Sequence, residues 1–351
     1  MSAISDVSVN KYELPLEGSF EISLGVQHSA SNILVTVETN NGTVGHGEGA
    51  PIAPVTSETQ ESALVIATKM GELVEGSDVA KFRTISKELA SSFPASPSAR
   101  LAIETAIVDA YCRELDIPMA NLFGGPVEPV ETDLTVPIVE PDVAADRAAA
   151  AAKAGYRHLK VKTGSDLAGD IDRMLAIADA VPNIALKVDA NQGWSVAETI
   201  RFAEIMADHG IRIDLIEQPV DSDDISGLAK ASRQVPVPVA ADESLFSSTD
   251  AIRLVREEAV DVLNLKLGKS GVVDALNIVS IAEAANIDLM IGCMLESAVA
   301  IHTAAHVVSG TSAFSYVDLD GNRLLEEDVV DDTGPSIDID GPGHGINNPV
   351  Q

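Results

Sequence analysis

The chain has 351 residues, which is enough for two modest domains or for one large α/β barrel with an attached domain. Hydrophobic residues make up 46% of it and aromatic residues only 3%, so the core must be built mainly from Ala, Val, Ile and Leu, as in parallel strands covered by helices. The formal net charge of −31 excludes nucleic acid and anionic membrane surfaces as partners, because both would be repelled.

The cysteines and the N-terminal residues indicate in which cellular compartment the protein resides. Cys112 and Cys293 have no CxxC spacing, so the sequence predicts neither a disulfide framework nor a zinc cluster. Residues 1–18 carry acids and a proline where a signal peptide would have an apolar core. No apolar run approaches the roughly 18 residues that a membrane span needs. We therefore expect a cytoplasmic protein that is not embedded in a membrane.

The N-terminal part of the chain predicts an α+β domain. Residues 6–48 alternate apolar and polar side chains, and the Asn-Asn-Gly sequence at 40–42 between two such runs predicts a hairpin. The period then becomes helical, with segments near 57–76, 79–92 and 99–115. FGGP at 123–126 can continue neither a helix nor a strand, so we place the end of a domain at residue 126.

The rest of the chain predicts repeated βα units. Eight candidate strands alternate with amphipathic helices, at 132–138, 157–162, 184–189, 213–217, 237–242, 261–266, 288–294 and 314–320. Charged residues end five successive strands at intervals of 24 to 28 residues, namely Lys162, Asp189, Glu217, Asp242 and Lys266. This spacing predicts a (β/α)7-8 TIM-like barrel over residues 127–321. A doubly wound open sheet is the alternative, but no GxGxxG follows the first strand.

Three acidic residues predict a metal site. The C-terminal ends of parallel strands meet on one face of a barrel, so Asp189, Glu217 and Asp242 should converge there. Converging carboxylates repel one another unless a cation neutralises them, and an all-oxygen site suits Mg²⁺, with Mn²⁺ as a possible substitute. The alternative is that each acid caps the following helix. Asn191 either supports the site or belongs to a turn.

Two lysines on one strand predict acid/base chemistry. Lys160 and Lys162 are two residues apart and share a face, and the apolar Leu159 and Val161 should face the helix layer, so both amines should point inward. Lys266 lies on a strand almost opposite. A metal with a lysine on either side favours proton abstraction alpha to a carboxylate, with return of a proton to the other face. The alternative is that the pair only forms salt bridges with the carboxylates.

The sequence resembles the enolase superfamily, and within it the muconate lactonizing enzyme subgroup, over nearly the whole chain. The resemblance rests on AIETAIVDAYCRELDIPMANLFGG (102–125), KVK (160–162), DANQGW (189–194), IEQP (216–219), ADES (241–244), NLKLGKSG (264–271) and GCMLES (292–297). Enolase-type sites use a Lys or His base with Mg²⁺. The resemblance implies that Lys162 and Lys266 are the acid/base pair and that the three acids bind the metal. It also implies that the N-terminal domain is a lid, completed by a C-terminal segment, residues 322–351.

The last strand resembles that of the dipeptide epimerases. YVDLDG (316–321) places Asp318 and Asp320 on one face, like the DxD motif that holds a substrate ammonium group, although a turn before Gly321 is the alternative. The resemblance implies further substrate-binding and supporting residues: Lys160, Thr135, Glu296 and Met294 for the substrate, and Asn191 and Glu243 as support. It also implies an isomerase with a dipeptide substrate and a homo-oligomeric assembly.

Three alternatives to this function and one question of specificity stay open. An o-succinylbenzoate synthase or a muconate cycloisomerase-like enzyme has no ammonium group to bind, and an inactive metal-binding barrel would lack catalysis. The segment 19–32 should cover the substrate side chains, and it has no Arg near Gly25 that could bind a C-terminal Glu. We therefore expect apolar dipeptides rather than Ala-Glu. Cationic dipeptides come second, because Glu21, Glu48 and Glu58 lie in lid segments.

The acidic composition predicts a dependence of stability on salt. The 54 acidic residues, against 23 basic ones, are spread along the chain, which is typical of a surface suited to high salt and of a halophilic source. We expect the midpoint of thermal unfolding to rise when KCl is raised from about 0.01 M to 1 M, because salt screens self-repulsion. Sorbitol, which carries no charge, is the control. Full stability in dilute buffer, with no gain from KCl, would contradict this prediction.

Overall fold

The computed structural model describes residues 2–22, 25–330 and 334–349, and the side chains of residues 19–27 lie outside that description. Within these ranges no helix combines the length and the apolar character that a bilayer span requires. An antiparallel sheet with its helices occupies the N-terminal part, and a barrel of parallel strands follows it.

The N-terminal sheet has three antiparallel strands in the order β1-β2-β3. Their bounds are β1 (Ile4–Ile22), β2 (Gly25–Thr39) and β3 (Val44–Gly49). The predicted hairpin is confirmed, since β2 and β3 pair from Glu38 and Val44 onward. Five helices follow, α1 (Ala53–Thr56), α2 (Gln60–Val74), α3 (Phe82–Ser92), α4 (Pro97–Leu115) and α5 (Met119–Phe123). The three helices predicted from periodicity correspond to α2, α3 and α4.

Glycines let α4 lie directly on β3. A side chain at Gly45, Gly47 or Gly49 would place its Cβ 2.1–2.3 Å from a backbone oxygen of α4, which is far inside contact distance. Three glycines at alternate positions therefore form a flat strip under the helix. The apolar side chains of the other strands and of α2 close the core around this contact.

The barrel has eight parallel strands in sequential order, so all eight predicted strands are confirmed and the doubly wound alternative is wrong. After the short β4 (Val130–Glu131), the strands are β5 (Leu134–Val136), β6 (His158–Lys162), β7 (Ala185–Asp189), β8 (Ile213–Glu217), β9 (Val239–Ala241), β10 (Val262–Lys266), β11 (Asp288–Gly292) and β12 (Tyr316–Asp318). The first and last strands approach each other where the Asp133 amide donates to the Val317 carbonyl at 3.4 Å.

Helices α6 to α12 cover the outside of the barrel. They are α6 (Pro141–Lys153), α7 (Leu167–Ala180), α8 (Val196–Asp208), α9 (Ile225–Gln234), α10 (Ser248–Arg256), α11 (Leu267–Ala285) and α12 (Ala298–Thr311). Five of them begin at a polar residue whose side chain accepts a backbone N–H of the first turn: Asp166, Ser195, Asp224, Ser247 and Ser297. These caps accept the free backbone N–H groups at the starts of the helices, so the acidic residues at the ends of the barrel strands are not needed for capping.

The interior of the barrel changes from apolar to polar along the strands. Leu215, Ala240, Val262 and Met290 form a small apolar cluster on four adjacent strands. Two residues further along, on the same face of each strand, stand Glu217, Asp242, Asn264 and Gly292. The apolar cluster thus closes the barrel below a polar mouth.

Buried carboxylates join the N-terminal part to the barrel. Glu48 accepts hydrogen bonds from the Ser297 amide at 3.0 Å and hydroxyl at 2.6 Å, and Glu104 accepts from the Val272 amide at 2.9 Å. Glu58 accepts from the Ser98 amide at 2.8 Å. The expectation that Glu48 and Glu58 approach the substrate is wrong, because neither lines the cavity at the mouth of the barrel. The side chain of Glu21 lies outside the described residues.

The C-terminal segment contacts both parts of the chain. β13 (Ser336–Ile337) pairs with β4, and a 3₁₀ turn at Gly321–Leu324 precedes it. Further on, the His344 amide donates to Asp109 at 3.0 Å, and Arg113 donates to the Ile346 carbonyl at 2.6 Å. Both hydrogen bonds join the C-terminal segment to α4. The division of the chain at residues 126 and 321 stays a prediction.

Candidate active site

Asp189, Glu217 and Asp242 meet at the mouth of the barrel. Each stands at the C-terminal end of one of three adjacent strands and is buried, and one oxygen of each lies within 4.8 Å of those of the other two. The alternative that they cap the following helices does not hold, since Ser195, Asp224 and Ser247 occupy those positions.

The charge of this carboxylate triad is only partly offset by the protein. Burial raises the pKa of Glu217, and the neighbouring Asp189 raises it further, to about 8. Burial also acts on Asp189, but Lys160 and Lys162 outweigh it and lower the pKa of Asp189 to about 2. A divalent cation beside Glu217 would offset both the cost of burying its charge and the repulsion from Asp189, and would so favour the ionised form. Three buried carboxylates at this spacing are an oxygen ligand set that fits Mg²⁺.

Lys160 is surrounded by carboxylates. Its Nζ lies 2.9 Å from Asp189, 2.8 Å from Glu217 and 2.7 Å from Asp318. Burial disfavours the charged amine, but these carboxylates outweigh it and hold the pKa of Lys160 well above its ordinary value. Lys160 is therefore a fixed cation.

Lys162 and Lys266 face each other across the triad. Lys162 Nζ lies 2.7 Å from Asp189 and donates to Asn191 Oδ1 at 3.1 Å, whereas Lys266 Nζ lies 2.9 Å from Asp242. Their strands, β6 and β10, are four apart in a barrel of eight and so stand on opposite sides. The salt bridges of the alternative interpretation are thus present. Lys162 and Lys266 nevertheless both line the same cavity, so these salt bridges do not exclude a role of the two lysines in acid/base catalysis.

Asp318 and Asp320 form the wall opposite the triad. Both are buried, and Asp320 accepts from the Thr135 amide at 2.6 Å. Asp320 precedes the 3₁₀ turn, but its side chain makes no capping hydrogen bond there, so the turn does not account for it. Burial and the charge of Asp318 raise the pKa of Asp320. This acidic wall, Asp318 and Asp320, lines the same cavity as Lys162 and Lys266.

The cavity between these groups has one charged and one apolar side. The charged side consists of Thr135, Lys160, Lys162, Asn191, Asp242, Glu243, Lys266, Asp318 and Asp320. The apolar side consists of Ile52 and Val55 from the N-terminal part, Cys293, Met294 and Leu295 after β11, and Leu324. Glu296, predicted to support the substrate, is buried behind Met294, whose amide donates to it at 3.3 Å.

Several residues of the site were not predicted from the sequence. Lys269 Nζ lies 2.6 Å from Asp242, Asn264 donates to Glu217 at 2.7 Å, and Lys187 contacts Asp133 below the acidic wall. Lys187 and Asn264 stand two residues before Asp189 and Lys266, so strand alternation was a signal that could have placed them inside. Lys269 lies on α11, where no such alternation applies.

Comparison with known families decides the identity of the fold. The family of mandelate racemase and muconate lactonizing enzyme N-terminal domains matches residues 4–124, and the "Enolase C-terminal domain-like" family matches residues 143–348. The chain is a member of the enolase superfamily. The resemblance seen in the motifs is therefore confirmed, together with the barrel and its antiparallel cap.

The relatives of this enolase-superfamily chain are epimerases. An L-Ala-D/L-Glu epimerase of Thermotoga maritima is 38% identical over 94% of this chain and 95% of the relative. An aromatic dipeptide epimerase of Herpetosiphon aurantiacus is 35% identical over 99% of both. A dipeptide epimerase of Enterococcus faecalis, solved with Mg and L-Leu-L-Tyr, superposes with a TM-score of 0.95 at 35% identity, covering 98% of this chain and 99% of the other. The prediction of a racemase- or epimerase-type isomerase agrees with these relatives.

The triad predicts metal binding that depends on charge and pH. We expect Glu217→Gln to weaken Mg²⁺ binding, measured by calorimetry, on the order of a hundredfold, because it removes one charge of the ligand set. Affinity of the unchanged protein should rise with pH up to about 8, since below that pH Glu217 keeps a proton that the cation must displace.

Glu243→Gln is the matched control. Glu243 also lines the cavity and is partly buried, but it accepts a hydrogen bond from the Asn191 side chain at 3.1 Å and does not belong to the triad. We expect it to change Mg²⁺ affinity by at most about tenfold. Equal losses in both variants, with both folded, would contradict the assignment of the triad.

Proposed function

We propose that the chain is a Mg²⁺-dependent dipeptide epimerase, which transfers a proton at the α-carbon of the C-terminal residue through an enediolate. The observation that carries the proposal is the pair Lys162 and Lys266, on opposite strands of one cavity with the triad between them. Two amines on opposite sides can serve the two faces of a single carbon.

The acidic wall accounts for a dipeptide rather than a simple carboxylic acid. Asp318 and Asp320 together bring more negative charge to the cavity than Lys160 neutralises. A free α-ammonium group supplies the missing cation and donates hydrogen bonds to both carboxylates. The N-terminal residue of the substrate would therefore lie at this wall, and its carboxylate end near the triad.

Each lysine serves one face of the α-carbon. One amine takes the α-hydrogen as a proton while the C–H electron pair passes into the carboxylate, and the opposite ammonium returns a proton to the other face. One lysine must start neutral and the other protonated, and the roles reverse for the other epimer. Mg²⁺ bound by Asp189, Glu217 and Asp242 would stabilise the negative charge that develops on the substrate. Lys160 adds a fixed positive charge beside them.

The alternatives fit the site less well. The substrates of o-succinylbenzoate synthase and muconate cycloisomerase carry no ammonium group, so Asp318 and Asp320 would stay unneutralised. An inactive metal-binding barrel gives no reason for two opposed lysines, and the relatives are epimerases. Mn²⁺ as a substitute, a homo-oligomeric assembly and a cytoplasmic location stay predictions.

The apolar side of the cavity supports a preference for apolar dipeptides. Ile52, Val55 and Leu324 offer contacts to hydrocarbon side chains and no hydrogen bond to a carboxylate. Among the described residues that line the cavity there is no arginine. The relatives themselves include both an Ala-Glu epimerase and an aromatic dipeptide epimerase, so identity alone does not decide the preference.

Solvent deuterium tests the reaction. With L-Leu-L-Tyr in D₂O, we expect the unchanged protein to form the L,D epimer and to place one deuterium at the α-carbon, measured by mass spectrometry after chiral separation. Lys162→Ala and Lys266→Ala should each lower epimerisation at least 10³-fold, within the usual range for a lost acid/base group. Each should still exchange the α-hydrogen of one epimer, and the two variants should favour opposite epimers.

Lys230→Ala, an exposed lysine on α9, is the matched control and should keep full activity. The absence of exchange with every dipeptide tested would contradict an epimerase and favour a binding protein. Loss of Mg²⁺ binding or of the fold in the two lysine variants would remove the acid/base interpretation of their effect.

A panel of dipeptides tests the preference. We expect kcat/KM for L-Leu-L-Tyr and L-Ala-L-Leu to exceed that for L-Ala-L-Glu by about tenfold or more, because a carboxylate side chain would lose its hydration against an apolar wall. L-Ala-L-Lys should also react slowly, since Glu48 and Glu58 are held elsewhere. Activity confined to L-Ala-L-Glu would overturn this preference.

A further inference from the structure

Gly292 borders the side chain of Lys266. It ends β11 and pairs in register with Lys266 on β10 and with Asp318 on β12. A Cβ at Gly292 would lie 2.8 Å from Lys266 Cε. The hydrocarbon chain of Lys266 therefore fills the space that any side chain at position 292 would need.

The backbone does not require a glycine at this position. Gly292 lies in a regular strand and does not belong to the glycines with positive φ. Any L-residue could adopt its conformation, so what distinguishes the position is the missing side chain. The empty volume is used by the lysine and by nothing else within 3 Å.

We propose that Gly292 is a positioning residue. Because it has no side chain, it leaves a space, here called the slot, in which the hydrocarbon chain of Lys266 lies when its amine is in the catalytic position. This inference rests on the proposed function, in which Lys266 is one of the two acid/base groups. Two carbon atoms in contact lie about 3.5–4.0 Å apart, so a methyl group at 292 would push Cε away by roughly 1 Å. The strand is held by its ladder, whereas the lysine is flexible near its end, so the amine moves and the fold stays.

The effect should be confined to one face of the substrate. Lys162 stands on β6 and contacts Asp189 and Asn191, and none of these three residues supplies one of the three atoms nearest to a Cβ at position 292. A methyl group at 292 would therefore impair proton transfer by Lys266 and leave Lys162 in place.

A second neighbour gives a competing route. The same Cβ would lie 3.1 Å from Asn264 Oδ1, and Asn264 donates to Glu217 of the triad. If the methyl group acted through Asn264, it would weaken Mg²⁺ binding and slow both epimers alike. The two routes therefore differ in a measurable way.

The experiment uses Gly292→Ala with L-Leu-L-Tyr and L-Leu-D-Tyr in D₂O, measuring loss of the α-hydrogen from each epimer at early times. Lys162→Ala identifies the epimer that Lys266 deprotonates, because only that epimer still exchanges in it. We expect Gly292→Ala to slow exchange of this epimer on the order of ten- to a hundredfold, as for a displacement of about 1 Å. Exchange of the other epimer and Mg²⁺ affinity should change by less than about threefold. Equal slowing of both epimers, or no slowing, would overturn the proposal.

A second test measures thermal unfolding and needs no substrate. It compares four proteins: the unchanged chain, Gly292→Ala, Lys266→Ala and the double variant. If the methyl group conflicts with the lysine, any loss of unfolding midpoint caused by Gly292→Ala should vanish in the Lys266→Ala background. If Gly292→Ala lowers the unfolding midpoint equally with Lys266 present and with Lys266→Ala, the proposal that position 292 makes room for Lys266 is overturned. A Gly292→Ala protein that does not fold by itself leaves this test valid, because the double variant can still be measured. If instead the proposed function is wrong, the protein without substitutions will exchange no α-hydrogen, but Gly292→Ala and Lys266→Ala will still be coupled in their effects on the unfolding midpoint.

Discussion

Negative charge buried at the mouth of the barrel is the constraint on which the site depends. The parallel topology forces the ends of β7, β8 and β9 to one rim, and each of them brings a carboxylate there. Buried carboxylates at this distance are costly unless cations stand beside them. Four lysines on three elements, β6, β10 and α11, supply positive charge beside the carboxylates: Lys160, Lys162, Lys266 and Lys269. Burial and the neighbouring Asp189 nevertheless raise the pKa of Glu217, and a divalent cation at the triad would favour its ionised form.

Lys160 joins the two halves of the site. It contacts Asp189 and Glu217 of the triad and Asp318 of the acidic wall with one amine, so the positions of both groups are coupled. A substrate with a carboxylate at one end and an ammonium group at the other matches this charge pattern. The barrel thus sets the distance between the two ends of the ligand, while residues from the N-terminal part, such as Ile52 and Val55, contact what lies between.

The positions of the charged residues could be read from the sequence because two simple rules apply to them. Strands of the barrel alternate in and out, which placed Lys160 and Lys162 inside, and parallel strands end on one rim, which brought Asp189 and Asp242 together. The same rules do not reach Lys269, which lies on a helix, nor Leu324, which lies on a 3₁₀ turn. Contacts of this kind depend on loop paths, for which the sequence carries no periodic signal.

The sequence by itself determined the eight strands, their order and the charged residues that end five successive ones, because hydrophobic periodicity and chain connectivity are local properties. Only the tertiary structure decided which carboxylate each amine contacts, that Glu48 and Glu58 bind backbone donors away from the cavity, and that Gly292 stands beside Lys266. The polar contacts among these are 2.6–3.0 Å long and join groups distant along the chain, so they follow from the tertiary fold, which no local pattern encodes.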